Sequence, residues 1–62
     1  MLICKYIVKH YVTGAETTQT WKEPVNNDLE ALDVKIRLEK MYAFSEKYDL
    51  VGFYTEETKK GE

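Results

Sequence analysis

Sixty-two residues make one domain, and a chain of that size hides only about 60% of the surface that its unfolded form exposes, so its stability is marginal unless something is added. A single Cys and a single His exclude an internal disulfide and a four-ligand metal set, while 9 basic against 11 acidic residues, a formal net charge of -2, lack the basic excess of a protein that lives on duplex nucleic acid. Association, with a partner or with a copy of itself, is the remaining route by which so short a chain completes a core.

In chain order, Met1 to Val12 reads as a strand. Leu2, Cys4, Tyr6, Val8, His10 and Val12 form one face, and Ile3, Lys5, Ile7, Lys9 and Tyr11 the other. The even face is the core side, because the odd face carries two lysines. Lys5, Lys9 and His10 inside the apolar pattern exclude a signal peptide, and no run approaches the roughly 20 apolar residues of a membrane span, so a cytoplasmic location without membrane contact is expected.

Gly14 with Ala15 fits a two-residue hairpin turn with Gly at the position that accepts positive φ. Pairing Thr13 with Glu16 then sets Val12 against Thr17, His10 against Gln19 and Val8 against Trp21 on the core side. Lys9 comes to lie beside Thr20, and Ile7 beside Lys22, on the outer side. The polar, Thr-rich segment Glu16 to Glu23 suits an edge strand. Trp21 is expected to cap the core over Val8.

Asn27 to Tyr48 is the one stretch long enough for a substantial helix. Pro24 ends the preceding segment, Asn26, Asn27 and Asp28 can each act as N-cap, and Asn27 with Glu30 makes an imperfect capping box. Asp28, Glu30 and Asp33 suit the positive end of the helix dipole and Lys47 the other. At 3.6 residues per turn the helix has two apolar arcs: Leu29, Leu32, Ile36 and Ala43 on one side, and Ala31, Val34, Leu38, Met41, Tyr42 and Tyr48 nearly opposite. Lys35, Glu39 and Glu46 fill one gap between them, and Asp33, Arg37 and Lys40 the other. One sheet buries only one arc, so the second asks for another surface: a copy of the chain, another protein, or the loop and tail of the same chain.

Leu50 to Thr55 reads as a third strand, with Gly52 marking a bulge or a close approach. Connection lengths place it antiparallel beside the first. The predicted fold is therefore α+β, ββαβ, a three-stranded antiparallel sheet of order 2-1-3 with one long helix on one face. Residues 1–56 form the domain and residues 57–62 a flexible charged tail.

Most chemistry is excluded. Cys4 and His10 lie six residues apart on one strand, about 20 Å, against a hydrogen-bond reach of about 3 Å, so they form no dyad. Cys4 reads as a small buried hydrophobe and His10 as a core-rim residue beside Gln19. Gly14, Gly52 and Gly61 are isolated and make no phosphate-cradling loop. No catalytic residues, cofactor or metal are expected, and the chain is not expected to be an enzyme.

Two binding functions remain. The first is a small non-catalytic protein-binding module, a homodimer or an inhibitor or regulator that docks on a larger protein. Its contact residues are Leu29, Leu32 and Ile36, with Tyr11, Tyr42 and Tyr54 as exposed aromatics of the type enriched in interface cores. The second is weak single-stranded nucleic-acid binding on the open sheet face, where Lys5, Lys9 and Lys22 with Tyr11 combine phosphate-pairing cations and a stacking platform. In size and style the chain is similar to the small accessory proteins of phages and mobile elements that inhibit or redirect a host factor.

Overall fold

A computed structural model describes residues 1–58 of the chain. Four elements follow in order: β1 (Leu2–His10), β2 (Glu16–Thr20), α1 (Asp28–Tyr42) and β3 (Tyr48–Glu57). The strands form one antiparallel sheet of order β2-β1-β3, the expected α+β topology. The alternating strand β1 sits at the centre, and its even residues face the helix side, with Cys4 and Val8 buried.

The hairpin is longer than a two-residue turn. Lys9 pairs with Glu16, Val8 with Thr17, Tyr6 with Gln19 and Lys5 with Thr20, so the register is displaced by four residues from the Thr13–Glu16 pairing expected from the turn. The reason is local. His10 Nδ1 accepts the amides of Val12 (3.2 Å) and Thr13 (3.4 Å), which therefore need no ladder partner. The Gly14 amide donates to the His10 carbonyl at 2.8 Å, and Gly14 takes φ 75°, the left-handed conformation a glycine accepts without strain. His10 consequently stands not against Gln19 but opposite Tyr48 of β3, with the rings 5.1 Å apart edge to face.

Beyond β2 the chain keeps to the edge of β1. The Trp21 amide donates to the Cys4 carbonyl at 2.8 Å, Lys22 to Pro24 arch away, and Val25 exchanges both backbone bonds with Leu2 at 2.7 Å. Pro24, with no amide to donate, falls where the ladder asks for none. Trp21 thus packs beside Cys4 and Val25, at the opposite end of the core from Val8.

The helix begins as expected. The Asn27 side chain accepts the Glu30 amide at 2.9 Å, and the Glu30 carboxylate reaches back to the Asn26 amide at 2.9 Å, a capping box displaced by one residue. It ends at Tyr42, six residues short of the expected Tyr48. The Ser45 hydroxyl accepts the amides of Lys47 (3.4 Å) and Tyr48 (3.1 Å), which offers the backbone a turn in place of helix. Tyr48 then opens β3, and the Lys47 carbonyl accepts the Tyr11 amide at 2.9 Å.

Strand β3 extends past the expected Leu50–Thr55 at both ends. Glu56 and Glu57 pair with Ile3 and Leu2, and Thr58 donates from its amide (3.0 Å) and hydroxyl (3.1 Å) to the Met1 carbonyl. Of the expected charged tail, 59–62 lie outside the described residues. Ile7 faces Gly52 while Val8 faces Leu50, so Val51 is the extra residue of a bulge. Leu50 and Phe53 therefore share the core side, where strict alternation would separate them. A Cβ on Gly52 would meet Ile7 Cδ1 at 3.0 Å, the close approach foreseen for this glycine.

The core is small. Cys4, Val25, Ala31, Val34 and Leu38 form it, walled by Leu2, Tyr6, Trp21, Tyr42, Leu50 and Phe53. The helix packs on β3 and β1 and leaves β2 uncovered.

Candidate functional site

Helix α1 is apolar on both of its long faces. Ala31, Val34 and Leu38 recur at i, i+3 and i+7 and are buried, Leu38 completely. Leu29, Leu32 and Ile36 recur at the same spacing half a turn away and are 78%, 51% and 42% exposed. At about 100° per residue these three lie within roughly 40° of one line along the helix, opposite the sheet. Exposed Ala43 continues that line just beyond the helix, and Phe44 follows it, 92% exposed. Among the described residues six hydrophobics are buried and eleven large ones are exposed. The outward strip is thus part of a surplus that this fold leaves in solvent.

The charges beside the strip are segregated along the helix. Asp28, Glu30 and Asp33 occupy its first half, and Lys35, Arg37 and Lys40, with Glu39, its second. Of these charges only Asp33 and Arg37 pair among the described residues, at 3.5 Å. Met41, expected inside, is 60% exposed, one residue before the helix ends.

The tyrosines expected among the partner-binding residues do not converge on the strip. Tyr42 turns toward the sheet, half-buried, with its ring 6.3 Å from that of Tyr6. Tyr54 lies opposite Lys5 on the other face of the sheet, and Tyr11 belongs to the hairpin loop. Sequence reasoning missed Phe44 and Val12, both almost fully exposed. Phe44 sits in the turn after the helix, and Val12, expected on the core face of the first strand, lies in the hairpin loop beyond the end of β1.

The open sheet face carries Ile3, Lys5, Ile7 and Lys9 from β1. Lys5 Nζ lies 3.3 Å from the Glu56 carboxylate, and Lys9 stands between Glu16 and Asp49. Lys22 has left the face for the arch, where its Nζ sits 5.8 Å from the centre of the Trp21 ring, and Tyr11 has left it for the loop. The cations expected there are therefore flanked by carboxylates or moved away.

Two clefts flank the helix on its β2 side. One of about 380 Å³ lies between the arch and the helix, over Trp21, Pro24, Val25, Val34 and Arg37. The other, about 260 Å³, is lined by Tyr6, Val8, Thr17, Gln19, Tyr42 and Tyr48. Burial pushes the Cys4 thiol up, and burial followed by the neighbouring Tyr42 hydroxyl pushes the Tyr6 phenol up. Both shifts favour the protonated forms, which are poor nucleophiles and poor bases. Among the described residues no three His, Cys, Asp or Glu side chains come together as a metal site, and no helix is long and apolar enough to cross a membrane.

Fold and surface together define a small ββαβ protein with an unpartnered apolar helix face. No family model matches the chain, and no match is found among curated proteins or solved structures.

Proposed function

We propose that this chain is a non-catalytic protein-binding module that docks through the outward face of α1, acting by occupancy, as a self-associating unit or as an inhibitor or regulator of a larger protein. The observation that carries the reading is the exposed spacing of Leu29, Leu32 and Ile36, directly opposite the buried spacing of Ala31, Val34 and Leu38. An apolar seam along a helix costs solubility and is what helix-in-groove and helix-pair recognition use. The sheet face is poorly suited to nucleic acid, because each of its lysines stands beside acid and the chain is acidic overall.

The test is a photo-crosslinking residue, p-benzoylphenylalanine, placed at Ile36 or Leu32 in cells that express the chain, with Thr18 on the open sheet face as control. A discrete protein adduct from the helix positions and none from Thr18 is the expected result. Equal labelling from Thr18, or no adduct from the helix, sinks the reading.

A further inference from the structure

The geometry points to a second copy of this chain as the occupant of the strip, with the two α1 helices antiparallel about a twofold axis near Ile36; this rests on the binding-module reading. Charge order along the helix favours this arrangement. The first half of the helix carries Asp28, Glu30 and Asp33 and no base, and the second half Lys35, Arg37, Lys40 and one acid, Glu39. A parallel pair sets each half against its own copy, acidic against acidic and basic against basic. An antiparallel pair sets the acidic half of one protomer against the basic half of its partner, and opposes the two helix dipoles favourably.

Side-chain positions sharpen the match. Such a twofold axis brings the same flank of each helix together, and two residues lie at the same height when their numbers sum to about twice that of the residue on the axis. Asp33 and Lys40 share one flank and sum to 73; Lys35 and Glu39 share the other and sum to 74. Leu29 with Ala43 sums to 72, so the bulky start of the strip covers its small-residue end, and Ile36 meets its own copy at the centre. One axis therefore satisfies both flanks and the apolar line. Among the described residues only Asp33 of these four charges has an ion-pair partner, Arg37.

The exposed edges of the sheet are guarded. Strand β2 is five polar residues long, and the free edge of β3 is broken by the Val51 bulge, both devices that discourage edge pairing. The strip has no such guard. A 15-residue helix is about 22 Å long, and a seam of that length buries on the order of 800 Å² in total, below the usual 1,200–2,000 Å² or so. The dimer is accordingly weak, with a Kd on the order of 10–100 μM.

The experiment is sedimentation equilibrium of the purified full chain from about 1 μM to 1 mM, with circular dichroism to confirm each fold. The wild type should move from 7.3 kDa to twice that mass, and Ile36→Glu should stay monomeric. Asp33→Lys and Lys40→Asp should each weaken association about tenfold or more, and the double exchange should restore it to within about threefold. Asp33 and Lys40 are two turns apart, about 10 Å along the helix, so the rescue reports contact between copies. A dimer indifferent to these exchanges overturns the antiparallel seam. A monomer at every concentration overturns self-pairing, while helix adducts with a larger protein in the crosslinking experiment would keep the module reading standing.

Discussion

Replacing Leu38 by Ala and, separately, Ile36 by Ala tests which side of α1 belongs to the core. Leu38 is fully buried, and truncating such a leucine costs about 2–5 kcal/mol in lost transfer energy and cavity. A domain of 62 residues has roughly 3–9 kcal/mol in all at about 0.05–0.15 kcal/mol per residue, so Leu38→Ala removes about a fifth of it at the least and about half at the middle of both ranges. With a urea dependence of about 1 kcal/mol per molar, the midpoint falls by roughly 3 M. Ile36 is 42% exposed, so its truncation loses only part of the burial of an isoleucine, about 1 kcal/mol. Alanine returns a few tenths of that as the better helix former, and the midpoint moves by less than about 1 M. Urea titrations followed by far-ultraviolet circular dichroism and by Trp21 fluorescence, at low micromolar protein, measure both shifts. Equal shifts, or a larger one for Ile36→Ala, would mean that the helix is rolled half a turn from the orientation described, and the docking strip would be lost with it.

Burial, with the Tyr42 hydroxyl adding to it, raises the Tyr6 phenol above its ordinary value; the stability this represents is intact below a pH of about 10 and is lost as pH climbs through the raised folded value. An ultraviolet titration should show one tyrosine ionising late, and Tyr6→Phe should remove that step. Cys4, with its thiol pushed up by burial, should react with a disulfide reagent only as fast as the domain opens, with a rate that rises with added urea; immediate labelling in buffer would contradict its place in the core. Asn27→Ala should cost about 1 kcal/mol by removing the cap on the Glu30 amide, and Asn27→Asp should keep it, both read from the thermal midpoint. Gly14→Ala should cost about 1–2 kcal/mol from φ 75° alone, since no atom lies within 4 Å of the added methyl. Gly14→Asn should cost less, and equal losses would point to a steric cause.

The open sheet face shows why exposure by itself does not make a docking surface. Ile3 and Ile7 lie there without a covering element, yet both are half-buried. Ile7 folds its Cδ1 over the bare Cα of Gly52, and the Lys5–Glu56 pair spans the face between strands. A side chain at Gly52 would push Ile7 off this position and open an apolar patch on the sheet. The helix strip has no counterpart to that glycine, and Leu29, the most exposed of the three, has only Asp28 and Glu30 beside it in the chain.

Architecture was legible in the sequence where it depends on period, and illegible where it depends on hydrogen bonds made by single side chains. The expected hairpin register was displaced by four residues because the His10 ring, Thr13 and Gly14 build a longer loop than Gly14–Ala15 alone suggests. Four is even, so every strand residue kept its face and only its partner changed. A displacement of one would have exchanged core and solvent sides throughout. The helix end was overrun for a related reason: Ser45, Glu46 and Lys47 break no periodicity, and only the Ser45 hydroxyl, by taking two amides, ends the helix. The bulge at Val51 likewise leaves composition unchanged while moving Leu50 onto the core side. The two arcs of α1 survive all three departures, because they are set by spacing over Leu29 to Leu38, upstream of Ser45 and independent of sheet register.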